Sequence, residues 1–148
     1  MERKVDYTID CLQYCKWDRS VFEQMREGNV DAVHVTICYH EGFVETVENI
    51  IEWKKQFEAN SDLIIQGTSV KDIDNAKKHG KTAIFFGFQN CSPIESNIGL
   101  VEIVHELGVR FMQLTYNNQS LLATGCYEKE DSGITRMGRE VIQEMNRV

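Results

Sequence analysis

The sequence predicts an α/β fold in which parallel strands alternate with helices, and three observations carry that prediction. Short β-branched or apolar runs alternate with helically spaced stretches along all 148 residues. The connections between them have the lengths that βα units use. One run, "KTAIFFGF" at 81–88, is apolar almost throughout, as a strand covered on both faces would be.

Each element has its own signal. "DYTID" (6–10) is a short strand candidate, and "DRSVFEQMREG" follows it with Asp18 placed as an N-cap and Gly28 as a stop. "DAVHVTIC" (31–38) is rich in β-branched residues, with Val33, Val35 and Ile37 on one face. "FVETVENIIEWKKQFEAN" (43–60) repeats apolar residues at helical spacing and keeps its charges on the other side. "DLIIQG" (62–67) is a third strand. "SVKDIDNAKKHG" (69–80) reads as a helix capped by Ser69 with Asp72 three residues on. After the fourth strand, "NIGLVEIVHELG" (97–108) is helical and "VRFMQLTY" (109–116) is a fifth strand. A polar loop covers roughly 117–133, and "TRMGREVIQEMNRV" begins a further helix.

This alternation fits either an open doubly wound sheet or a (β/α)8 TIM-type barrel. A whole barrel takes about 250 residues, so the expectation is a partial barrel of about five βα units in one domain over 1–148. The last helix meets Val148 with no cap or polar tail, which is read as a truncation. Open strand edges would then leave the chain to associate with a copy of itself or with a missing barrel half.

Composition narrows the classes. Hydrophobic content of 42% and charged content of 26% are ordinary for a soluble globular domain. A net charge of −7 argues against nucleic acid and anionic membrane as partners. No apolar run approaches the roughly 18 residues of a membrane span, and "MERKVDYTID" has no apolar leader core. Five scattered cysteines without CxxC spacing read as reduced thiols of a cytoplasmic protein. The glycines at 80, 87, 99 and 108 match no phosphate-binding loop.

In both architectures the chemistry lies at the carboxyl ends of the strands. The residues there are Asp10, Gln13 and Tyr14, then His40 with Glu41, then Gln89, Asn90 and Cys91, and finally Tyr116 and Asn117. This rim is rich in amides and poor in carboxylates, suited to hydrogen-bonding a small polar ligand and ill suited to a divalent cation. Blander readings stand beside that one. "YNNQS" (116–120) also makes an ordinary turn. His34 fits a hydrogen-bonded structural histidine. His40–Glu41 is an acid–base pair or an exposed loop pair. Cys91 is a buried small hydrophobe, or a thiol activated at a strand end.

"GKTAIFFGFQNCSPIESNIGLVEIVHELGVRFMQLTYNNQS" resembles the central region of the membrane (renal) dipeptidases, zinc peptidases built on a (β/α)8 barrel. The family's matching run reads roughly G-K-x-A-x-x-x-G-x-E-G-G, followed by a segment ending in L-T-H. "SGITRMGREVIQEMNRV" and "TIDCLQY" extend the likeness over nearly the whole chain. The resemblance implies a hydrolase cleaving dipeptides or related small amides at a pair of zinc ions bridged by a carboxylate. Two of the family's histidine ligands lie in sequence that follows the stretch matched here, so zinc belongs to a longer protein.

Carried over residue by residue, the family's His-x-Asp metal motif falls on Leu12 and Tyr14, its bridging glutamate on Gln89, and its substrate-contacting histidine on Tyr116. Asp10, Gly87, Thr115, Gly138 and Asn146 match the family. A neutral amide, a leucine and a phenol do not replace two carboxylates and an imidazole. The expectation for this chain is therefore no metal and no cofactor, with catalytic residues unassigned. Asp10, Gln13, Tyr14, His40, Gln89, Asn90, Tyr116 and Asn117 form a pocket rim for a dipeptide or an amino-acid derivative. The alternative is a metal-free or non-catalytic ligand-binding branch of the same family.

Overall fold

Strands and helices alternate along the chain as the sequence predicts. The computed structural model describes residues 6–148. The amino-terminal "MERKV", on which part of the leader argument rests, lies outside the described residues. The strands are β1 (Ile9–Gln13), β2 (Ala32–Cys38), β3 (Ile64–Gly67), β4 (Thr82–Phe88) and β5 (Val109–Met112). The helices are α1 (Arg19–Glu27), α2 (Phe43–Ala59), α3 (Val70–Lys78), α4 (Leu100–Glu106) and α5 (Arg136–Arg147).

The five strands form one sheet in the order β1-β2-β4-β3, with β5 also on β4. The β1–β2, β3–β4 and β4–β5 pairings are all parallel. β4 divides its edge between two neighbours: Thr82 to Phe85 pair with β3, and Phe86 to Phe88 pair with β5. Every residue of β4 is buried, as its unbroken apolar run predicts. This is an α/β fold of parallel strands and alternating helices, consistent with part of a TIM-type barrel.

Two compact units divide the chain, one of residues up to Val35 with Trp53–Phe85, the other of Thr36–Glu52 with Phe86–Val148. In the first, α1 buries Phe22 and Met25. Trp17 meets Trp53 edge-to-face at 5.1 Å and stacks on Phe22 at 6.1 Å. Ala32, Ala76, Ala83 and Phe85 make a second small cluster with Ile65 and Ile73 packed against it. The buried Asp31 accepts both the N–H of Thr8 at 2.9 Å and the ammonium of Lys77 at 2.8 Å.

Caps fall where the sequence puts them. Asp18 accepts from the N–H of Val21 at 3.2 Å. Ser69 and Asp72 form the capping box of α3, with Asp72 Oδ2 accepting the N–H groups of Thr68 (2.9 Å) and Ser69 (2.8 Å). Past α3, Gly80 takes φ +67°, a left-handed geometry that glycine adopts without a Cβ penalty.

The second unit buries Phe86, Phe88, Ile94, Val101, Val104, Val109 and Val141. Thr135 caps α5, accepting the N–H of Gly138 at 2.9 Å and donating to the carbonyl of Leu121 at 2.6 Å. The approach there is close: a Cβ on Gly138 would stand 2.1 Å from the Leu122 carbonyl oxygen.

Three elements depart from expectation by three residues or more. β1 begins at Ile9 and runs on to Gln13, because Thr8 is tied through both backbone groups to Asp31. α4 starts at Leu100 because Pro93 first makes a single 3-10 turn, Ser92–Ile94, and Glu95 then takes φ 51°. β5 ends at Met112, after which Thr115 Oγ1 bonds the carbonyl of Asn118 and turns the chain.

Candidate functional site

Three of the eight expected rim residues lie in the first unit. β1 pairs Asp10 with Val33 and then Gln13 with Val35, so the strand bulges between them. Bulges of this kind re-aim side chains at strand ends. Asp10 Oδ1 accepts the N–H of Leu12 at 3.1 Å, and His34 Nδ1 meets the carbonyl of Cys11 at 2.7 Å. Burial lowers the His34 pKa against the pull of that carbonyl, as a structural imidazole requires. Leu12 is 47% exposed and Tyr14 73% exposed.

The other five lie in the second unit. Gln89 ends β4 as a buried amide, 9% exposed. Its backbone N–H donates to Cys38 O at 3.0 Å and its Nε2 donates to Thr36 Oγ1 at 2.9 Å. Asn90 follows, its Nδ2 3.5 Å from His40 Nδ1. The His40 and Tyr39 rings each meet the ring of Tyr116 edge-on, both with centroids 5.8 Å apart. Asn117 is fixed through its carbonyl, which accepts the N–H of Tyr127 at 2.8 Å. Imidazole, phenols and carboxamides thus gather at the ends of β2, β4 and β5.

Of the two readings of His40 and Glu41, the acid–base pair does not form. The Glu41 carboxylate turns back to accept the N–H groups of Tyr39 (2.6 Å) and His40 (2.9 Å). Burial opposes its charge, but those N–H groups outweigh the burial and hold the carboxyl below its ordinary range. His40 is left with Asn90 and Tyr116 for neighbours. Cys91 is not activated either. Its Sγ donates to the carbonyl of Gln113 at 3.2 Å, and burial pushes the thiol up to about 12. Cys38 behaves alike, pushed up to about 11 chiefly by burial. Both stay protonated at neutral pH, so neither offers a thiolate nucleophile.

Sequence reasoning missed Thr36, the hydroxyl that anchors Gln89. Nothing in the sequence marks it, because the two residues meet only through the pairing of β2 with β4.

The sequence model of the membrane dipeptidases (Peptidase family M19) matches residues 13–148. The chain belongs to the membrane dipeptidase family. Among curated dipeptidases, tcpJ of Claviceps purpurea is 25% identical over 120 residues, which are 80% of this chain and 27% of that one. An amidohydrolase of Pseudomonas aeruginosa superposes with a TM-score of 0.93 at 47% identity, covering 95% of this chain and 43% of that chain. A probable dipeptidase of the same organism, PvdM, superposes at 0.76 with 13% identity, covering 85% and 37%, a likeness of fold alone. The chain thus spans well under half the length of these relatives.

The resemblance puts the family's metal-ligand positions at Leu12, Tyr14 and Gln89, of which Leu12 precedes the matched residues. Leu12 has no ligand atom, Tyr14 carries a phenol, and Gln89 gives one N–H of its amide to Thr36, leaving Oε1 as its acceptor. Among the described residues, no three His, Cys, Asp or Glu side chains converge as a metal site would need. No helix among the described residues is long and apolar enough to cross a membrane.

Proposed function

We propose that this chain is the pocket-forming part of a dipeptidase-family hydrolase for dipeptides or related small amides, and that these residues alone bind such a ligand without cleaving it. The observation that carries the reading is Gln89. The resemblance puts the bridging carboxylate of the family at that position, where a buried amide is held by Thr36 Oγ1 at 2.9 Å. An amide so placed hydrogen-bonds polar groups but supplies no charge to hold two cations. Likeness to an amidohydrolase at 47% identity supports the hydrolase class for the longer protein.

The chain's own residues then have recognisable tasks. The Gln89 and Asn90 amides and the His40 imidazole present donors and acceptors to a ligand's peptide or carboxylate groups. Tyr39 and Tyr116 give the same rim an aromatic wall. A second reading, a non-catalytic or metal-free binding member, is favoured by the complete loss of ligand atoms at Leu12 together with the anchored Gln89.

Elemental analysis separates the two, with this chain and a longer protein containing it measured side by side. Stoichiometric zinc in the longer protein, with dipeptide hydrolysis, supports the hydrolase. Metal-free protein that still binds dipeptide supports the second reading. Tight zinc in the 148-residue chain would overturn the assignment of residues 12, 14 and 89.

A further inference from the structure

Within the second unit, a cavity of about 240 Å³ opens between the segments that follow β4 and β5. Leu114, Leu121 and Leu122 supply its apolar wall, and Asn90, Ser92, Ser120 and Glu95 its polar groups. Most of that polarity is already used. Ser92 Oγ donates to the carbonyl of Glu41 at 2.8 Å. Ser120 Oγ accepts the N–H groups of Leu122 (3.1 Å) and Ala123 (3.2 Å). The thiol of Cys91, also in the wall, is committed to Gln113.

Glu95 is different: it is an exposed residue in the cavity lining, and its carboxylate makes no hydrogen bond or ion pair with the described residues. Its backbone sits at φ 51°, ψ −125°, a region unfavourable for any residue but glycine. The turn around it enforces this geometry, with the N–H of Glu95 on Ser92 O and the N–H of Asn97 on Ile94 O, both at 3.0 Å. A second carboxylate approaches the same place. A Cβ on Gly42 would lie 3.9 Å from Glu45 Oε2 and 4.0 Å from Glu95 Oε1. Glu45 Oε2, though, is held by the Gly42 N–H at 2.9 Å. The local field is therefore negative, on a chain of net charge −7, and one carboxylate is left to answer a cation.

We propose that this cavity binds a small aliphatic ammonium ion, its head on Glu95 and its hydrocarbon body against Leu114, Leu121 and Leu122. A concave, mostly apolar site with one charge at its edge selects a ligand of that chemistry. An anion is repelled, and a neutral chain forfeits the charge-assisted hydrogen bond. The cavity shares Asn90 with the rim proposed above, but the assignment needs neither metal nor hydrolysis.

The test is an NMR titration of the 148-residue protein with n-butylammonium, 1-butanol and butyrate. Saturable shifts of the three leucine methyl groups are expected with the ammonium, at an affinity roughly tenfold above that for 1-butanol. Glu95→Gln should abolish that preference without moving the melting temperature. Glu95→Gly should also lose it, while raising the melting temperature as the backbone relaxes. Equal binding of ammonium and alcohol, an unaltered preference in Glu95→Gln, or no saturable shift would each overturn the proposal.

Discussion

The two units spend their polar residues differently. In the first, charge is built into the frame: the Asp31 side chain, 3% exposed, is closed off by the Lys77 ammonium, and Asp72 caps α3. In the second, the strand ends carry an anchored glutamine, an imidazole, two phenols and two thiols held in the protonated form. The one carboxylate there that faces His40 in sequence, Glu41, is folded back on its own backbone. Buried charge fixes structure in one region; in the other, amides, rings and thiols crowd the strand ends.

The contrast can be broken first at the ion pair. Lys77→Met leaves the Asp31 carboxylate buried and uncompensated, and unfolding in urea should show a loss of about 3 kcal/mol. An effect below about 1 kcal/mol, the range of surface pairs, would mean the charge is not structural. In the second unit, Gly138→Ala drives a methyl group against the Leu122 carbonyl. The cost should be about 1–3 kcal/mol by the same assay, with α5 losing amide-exchange protection before the rest of its unit.

Asp72→Ala removes the capping acceptor of α3, for which about 1 kcal/mol is expected, with exchange quickening over residues 68–72. The smallest effect concerns Glu41. Its carboxyl is held below the ordinary range in the fold, so its contribution is complete above the unfolded pKa and is lost as pH falls through the folded one. Melting temperature followed from neutral to acid pH should therefore drop less in Glu41→Gln than in the parent chain. Parallel curves would assign the acid sensitivity to other carboxylates.

Much of the frame was legible beforehand. The apolar run of β4, the β-branched face of β2, the Asp18 cap and the Ser69–Asp72 box are local signals, and all appear where they were read. One shifted boundary traces to a long-range bond, Thr8 to Asp31 before β1, and another to the local turn through Glu95 that delays α4. His40 beside Glu41 read as an acid–base pair or an exposed loop pair because the two are adjacent in sequence. Adjacency does not say which way a carboxylate turns.

By itself the sequence determined the order of elements, the family, and the chemical identity of the groups at positions 12, 14 and 89. These follow from side-chain type and periodicity, which are properties of the chain before it folds. Only the tertiary structure decided what those groups meet: Gln89 against Thr36, Glu41 on its own backbone, Glu95 unpartnered beside three leucines. Residues tens of positions apart are brought together by strand pairing and turn geometry, and a hydrogen bond depends on direction and distance that composition does not carry.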